Sequence, residues 1–207
     1  TQKWTLFPYT TLFRSVYMNK EFKDFFSKIN QYNPEKDKKN YLDDIVSKIQ
    51  NSLPITNNIV FLCTHNSRRS QLCQVWGSIL SKIYNIDLKF NSAGTEKTEV
   101  YKTVFYCFSN VGVEIKDSKI FYRDLSLSLH SKVLEEIQSD KFISIMTCSD
   151  AEKSCPSDSR SIRNISMIYQ DPKIYDNTEK EREEYSKTSK LIAEELNYII
   201  KNLVNPI

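Results

Sequence analysis

The segment CTHNSRRS places five residues between Cys63 and the Arg69-Ser70 pair, and it lies between an apolar run and a stretch with helical spacing. Where a buried strand meets a helix start, unpaired backbone N–H groups and the helix dipole favour an anion. A nest of such donors, here offered by Thr64, His65, Asn66, Ser67 and Arg68, suits a tetrahedral oxyanion. The same positive field, with Arg69, should lower the Cys63 thiol and populate a nucleophilic thiolate at neutral pH. Arg69 can fold back over the anion and offer a planar fork to two oxygens. The spacing alone is a weak signal, and the strand before and helix after strengthen it.

These residues need a scaffold, and the apolar pattern supplies one. IVFLC (59–63) and FISIMTC (142–148) are continuous apolar runs of the kind expected of strands buried on both faces of a parallel sheet. Further strands are expected at 88–92 and 165–169, with a turn at SAGT and a short extended piece at 120–124. Helices are expected at 69–84, 100–111 and around 132–137, with a long terminal one carrying Ile192, Leu196, Ile199, Ile200 and Leu203. Strands alternating with helices argue for an α/β fold, a doubly wound four-stranded parallel sheet. In such sheets the functional crevice lies at the C-terminal ends of the strands. Cys63, Cys148 and Asp171 all fall at such ends. The polar, serine-rich loop 150–164 should be mobile.

Two amphipathic patterns precede this domain, Phe22, Phe25, Phe26 and Ile29, then Leu42, Ile45, Val46, Ile49 and Leu53. They predict an N-terminal helical extension over 18–57, ahead of a domain over 58–205. Within residues 1–17, the stretch TLFPYTTLFRS resembles an in-frame translation of a sequencing adapter. Those residues are treated as non-native and set aside from fold reasoning, with Met18 as the expected start. The chain has 207 residues and a formal net charge of +3, too small to argue for nucleic acid or anionic lipid as the main partner. No apolar run approaches the roughly 18–20 residues of a membrane span. Five cysteines without a secretion signal point to thiols of a cytoplasmic protein and not to a secreted disulfide framework.

The chain resembles the low-molecular-weight protein tyrosine phosphatase superfamily and, within it, the thioredoxin-coupled arsenate reductases. The marks are IVFLCTHNSRRSQ, NSAGTE at 91–96, TCSDAEKSCP at 147–156 and the Asp171–Pro172 pair. The resemblance implies that Cys63 is the nucleophile, that Asn66 braces the loop and that Arg69 clamps the oxyanion. It implies further that Ser70 hydrogen-bonds the thiolate and that Asp171 is the general acid. His65 departs from the Gly common in the family, and Arg68 replaces a small or apolar residue or Cys, adding positive charge near the mouth. Some related reductases hold potassium beside the loop; Gln74 stands where those have a carboxylate, so that ion is not assumed, and the expectation is of no metal site and no cofactor.

Arsenate and phosphate share a shape, and Cys63 could attack either with Arg69 stabilising the charge. Hydrolysis then needs water, whereas reduction of As(V) needs a second thiol. Cys148 and Cys155, separated by six residues, match the spacing of the reductases' redox pair. By that resemblance Cys148 attacks the arsenylated Cys63, Cys155 attacks Cys148, and thioredoxin reduces the resulting disulfide. The phosphatases carry an aromatic directly after Asp-Pro; here Lys173 stands there, leaving Tyr175, Tyr169 or Tyr122 to form a different wall. Arsenate reductase is therefore the favoured expectation, and a phosphotyrosine phosphatase working through a Cys63 thiophosphate is the alternative. Cys73 and Cys107 read as small buried hydrophobes, His65 as a loop hydrogen-bonder and His130 as a surface residue. A zinc site is disfavoured, because C-x6-C is wider than the usual ligand spacing.

Overall fold

The computed structural model of the chain describes residues 19–149 and 158–204. Residues 1–17, Met18 and Cys155 lie outside them, as does most of the loop expected to be mobile. In chain order the elements begin α1 (Lys20–Asn30), α2 (Lys36–Gln50), β1 (Asn58–Cys63), α3 (Arg69–Tyr84), β2 (Lys89–Gly94) and α4 (Lys102–Ser109). Three short strands follow, β3 (Glu114–Lys116), β4 (Lys119–Tyr122) and β5 (Leu125–Ser128). The chain closes with β6 (Phe142–Met146), β7 (Ser161–Ser166) and α5 (Glu181–Val204).

The α/β architecture expected from the alternating pattern is present. Four strands form a parallel sheet in the order β2-β1-β6-β7. The chain enters at β1, moves out to β2 and returns on the other side at β6, so the order reverses between β1 and β6. That is where a crevice opens in such sheets. Cys63 pairs with Gly94 of β2, and Leu62 with Met146 of β6, so the loops leaving all three strands converge on one edge. Alternate residues of β1 divide between two cores. Ile59 and Phe61 join the main core under the helices, while Val60 and Leu62 meet Ala93, Leu134, Ile137 and Phe142 on the opposite face.

Three expectations are corrected, and a fourth, the extended piece at 120–124, is present as part of a small sheet. Residues 132–137 form a single 3-10 turn, Leu134–Glu136, because the Lys132 backbone is already committed: its N–H donates to Asn66 Oδ1 at 2.9 Å and its carbonyl accepts from Gly94 N at 2.9 Å. The last strand begins at Ser161, earlier than 165–169; its exposed residues Arg163 and Asn164 hid an edge strand from a search for apolar runs. β2 runs on through Gly94, taking in most of the expected turn. The piece at 120–124 is the middle of a three-stranded antiparallel sheet, β3-β4-β5. Its first turn is Asp117–Ser118, both at positive φ (49° and 57°), the pattern of a two-residue hairpin whose usual Asn-Gly signature is missing here.

The N-terminal helices are built into the main core. Asn19 caps α1 by accepting from Phe22 N at 2.9 Å, and Phe25 stacks on Trp76 of α3 at 5.1 Å. Trp76 is fully buried, packs on Phe108 of α4 at 5.1 Å and donates its Nε1–H to Ser189 of α5 at 2.8 Å. From α2, the Tyr41 hydroxyl donates to the Ser166 carbonyl at 2.6 Å, and Lys38 pairs with the buried Glu195 at 2.6 Å. No helix among the described residues is long and apolar enough to cross a membrane.

Because Ile45 of α2 is 1% exposed within the same cluster as β1, Ile45→Ala should lower the stability of the whole molecule by about 2–5 kcal/mol. Thermal unfolding should keep a single transition at a lower midpoint; two separate transitions would make 18–57 an independent unit.

Candidate functional site

Residues 64–68 link β1 to α3 as a loop whose carbonyls are all taken from outside. The Thr64 carbonyl accepts from Glu96 N at 2.9 Å, and that of His65 from Ser131 Oγ at 3.0 Å and Thr98 Oγ1 at 2.8 Å. The Asn66 carbonyl accepts from Gln71 Nε2 at 3.0 Å and that of Ser67 from Tyr101 N at 3.1 Å. With every carbonyl turned outward, the peptide N–H groups face the loop's interior. Among the described residues none of those from His65 to Arg68 is given to a protein acceptor. They form the nest of donors that a tetrahedral oxyanion requires.

Asn66 makes that curvature possible. Its φ of 46° is left-handed, a region Asn tolerates better than most residues, and its side chain is fully buried. Oδ1 accepts from Gln71 Nε2 at 3.0 Å and from Lys132 N at 2.9 Å, while Nδ2 donates to Ser70 Oγ at 2.9 Å. Ser70 Oγ, which accepts from Asn66, lies 3.0 Å from the Cys63 sulfur and keeps a hydrogen that it can donate to a Cys63 thiolate. A third close approach comes from β2. A Cβ on Gly94 would lie 2.6 Å from the Thr64 carbonyl oxygen and 2.8 Å from Asn66 N, so only glycine fits under the loop.

Arg69 and Asp171 close one side. Arg69 donates through Nη1 to the Tyr169 carbonyl at 3.0 Å and through Nη2 to Asp171 Oδ2 at 2.5 Å. Asp171 in turn caps the 3-10 turn Pro172–Tyr175, its Oδ1 accepting from Lys173 N at 3.0 Å. Cys63, Thr64, His65, Ser67, Arg68, Arg69 and Asp171 line one small cleft. Cys148, 1% exposed, packs with Cys63 and Met146 as a separate buried cluster and lies 3.7 Å from Thr64 Oγ1. Thus Cys63, the loop residues, Ser70, Arg69, Asp171 and Cys148 are brought to one edge; Cys155 lies outside the described residues.

The other two described thiols lie apart, in the main core. Burial, and then the neighbouring Cys63 sulfur, push Cys73 well above the usual thiol range, and burial pushes Cys107 up to about 12. His65 pairs at the surface with Glu96 at 3.4 Å.

Three side chains are not where the sequence suggested. Arg68 does not offer its charge to the mouth: its guanidinium bonds Asp176 and the Tyr185 hydroxyl and lies 4.3 Å over the Tyr101 ring. Burial opposes that charge, but Tyr185 and Asp176 outweigh it and hold the group above its ordinary value. Tyr122 packs against Phe22 at 5.1 Å, remote from the cleft, and Tyr169 turns its hydroxyl to Glu195 at 3.2 Å, so neither forms a wall. The supports Gln71, Ser131, Lys132 and Tyr101 escaped sequence reasoning; their contributions are made by amides, hydroxyls and backbone groups with no distinctive spacing. Gln74 accepts through its Oε1 from Ser92 Oγ at 2.6 Å, and among the described residues no three His, Cys, Asp or Glu side chains group as a metal site would need.

No family model matches the chain. Arsenate reductase 2 of Staphylococcus epidermidis is 32% identical over 114 residues, covering 55% of this chain and 77% of that one. A solved arsenate reductase in its oxidized state superposes with a TM-score of 0.53 at 18% identity, over 72% of this chain and 99% of the other. A low-molecular-weight protein tyrosine phosphatase from Bacillus subtilis superposes with a TM-score of 0.52 at 15% identity, over 72% and 98%. These two share the fold, and the sequence match adds the lineage: the chain belongs to the arsenate reductase family, built on the low-molecular-weight phosphatase fold.

Proposed function

We propose that the chain reduces arsenate to arsenite through three thiols, with thioredoxin as the final reductant. The observation that carries this reading is the packing of Cys148 against Cys63 in one buried cluster at the reversal point of the sheet. The Cys63 thiolate, held by the Ser70 hydroxyl, attacks arsenic while the loop N–H groups and Arg69 take up the oxyanion charge. Asp171 protonates the departing oxygen. The Cys148 thiolate then attacks the Cys63 sulfur; the S–As bonding pair passes to arsenic, arsenite leaves as As(III), and a Cys63–Cys148 disulfide remains. Cys155 attacks Cys148, releases Cys63 as thiolate, and leaves a disulfide for a thioredoxin dithiol to reduce. The exposed Lys173 and Ile174 after Asp171 and Pro172 also favour this reading, since no aromatic stands directly after the pair to hold a phenyl ring.

A second reading, hydrolysis of phosphotyrosine through a Cys63 thiophosphate, is favoured by the place of Asp171. It stands beside Arg69 on the cleft, where a general acid for a leaving phenol belongs.

Cys148→Ser and Cys155→Ser should each abolish multiple-turnover, thioredoxin-dependent arsenate reduction while leaving para-nitrophenyl phosphate hydrolysis within about threefold, and Cys63→Ser should abolish both. NADPH consumption through thioredoxin reductase, run beside nitrophenol release, reads the two; sustained reduction without Cys148 would remove the relay. Asp171→Asn should lower kcat for aryl phosphates by about 100-fold or more and make it steeply dependent on the leaving group's pKa. An unchanged dependence in a series of substituted phenyl phosphates would take Asp171 out of the mechanism.

A further inference from the structure

Two consecutive arginines leave the oxyanion loop at the start of α3, and both reach the segment that carries Asp171. That segment is a single 3-10 turn, Pro172–Tyr175, with Asp171 at its entrance and Asp176 at its exit. Asp171 Oδ1 accepts from Lys173 N at 3.0 Å, and Asp176 N donates to the Lys173 carbonyl at 3.0 Å. Arg69 grips the entrance through Asp171, and Arg68 grips the exit through Asp176.

The two grips differ in kind. Arg69 is the group an incoming oxyanion would claim, so its bond to Asp171 competes with substrate. Arg68 also lines the cleft, but its guanidinium is shut into a closed ring of contacts. Its Nε donates to the Tyr185 hydroxyl at 2.5 Å, the Tyr185 hydroxyl donates to Asp176 Oδ1 at 2.5 Å, and Arg68 Nη2 bonds Asp176 Oδ2. Tyr185 is fully buried and stacks on Tyr101 at 5.6 Å, and Tyr101 supports the guanidinium from below. The Arg68 and Asp176 side chains are 13% and 15% exposed, so the pair is shielded from solvent screening. A paired, fully hydrogen-bonded charge in such surroundings fixes geometry, because removing one partner leaves the other buried and uncompensated.

We propose that Arg68, Asp176 and Tyr185 are positioning residues that hold Asp171 on the cleft it shares with Cys63 while substrate occupies Arg69. The inference rests on the reading of Asp171 as general acid given above. With four residues between the two aspartates, slack at Asp176 becomes displacement at Asp171, and misplacement by about 1 Å costs on the order of 100-fold in rate. The loop N–H groups and Cys63 are held by other bonds, so binding of the anion itself is untouched.

The test is a double-mutant cycle on the full chain with aryl phosphates of graded leaving-group pKa, read as kcat, KM and inhibition by inorganic phosphate. Asp176→Asn should lower kcat by about 10–100-fold for poor leaving groups and by little for good ones, with KM and phosphate inhibition within about twofold of wild type. Added to Asp171→Asn, it should have no further effect. Tyr185→Phe, which keeps the buried ring and removes one donor to Asp176, should give the same pattern more weakly and guards against a misfolded Asp176→Asn. Equal losses across all leaving groups, an additive double variant, weakened phosphate inhibition, or unchanged kinetics in both single variants would overturn the inference while leaving Asp171 as acid. If Asp171→Asn itself leaves the leaving-group dependence unchanged, or wild type does not hydrolyse these esters, the general-acid reading falls and this inference with it.

Discussion

The constraint on which the site depends is the direction of four carbonyl groups. From Thr64 to Ser67 each is drawn outward by a donor on another element, and the N–H groups are thereby turned inward. A loop of this curvature cannot satisfy its own backbone, and buried unpaired peptide groups cost about 1–3 kcal/mol each. The neighbours must therefore arrive at fixed places: Glu96 and Thr98 after β2, Ser131 and Lys132 after β5, Tyr101 before α4 and Gln71 on α3. The small antiparallel sheet acquires its purpose here, since it delivers residues 130–132 beneath the loop.

Asn66 concentrates the same logic in one side chain. Its left-handed backbone costs on the order of 1 kcal/mol, while its three side-chain hydrogen bonds contribute roughly 1 kcal/mol apiece. One of them orients the Ser70 hydroxyl toward Cys63, so the element that shapes the anion seat also sets the hydrogen bond to the sulfur. Structure and nucleophile are coupled through a single residue, and a change at Asn66 would disturb both.

All four described cysteines are buried, and their surroundings sort them. Cys73 and Cys107 lie among aliphatic and aromatic side chains in the main core, where a thiolate is disfavoured. Cys63 and Cys148 sit at the ends of adjacent parallel strands, in a cluster of their own beside the oxyanion loop. The parallel order β1-β6 brings them together, since neighbouring parallel strands deliver their C-terminal ends to the same edge. The aspartate that closes the cleft follows the next strand, β7, by the same rule.

Local pattern alone specified the buried runs of β1 and β6, the span of α3, the two helices ahead of β1, and the placing of Cys63, Cys148 and Asp171 at one strand-end edge. Strand and helix periods are written residue by residue, and the order of elements then dictates which ends meet. The tertiary structure decided what depends on a partner distant in the chain. Lys132 gave up a helix to bond Asn66, Ser161–Ser166 became a strand because β6 offered an edge, and Arg68 turned from the mouth because Asp176 and Tyr185, more than a hundred residues away, offered acceptors. A residue's own type specifies what it can bond; which of those bonds forms is fixed when folding brings the partner within about 3 Å.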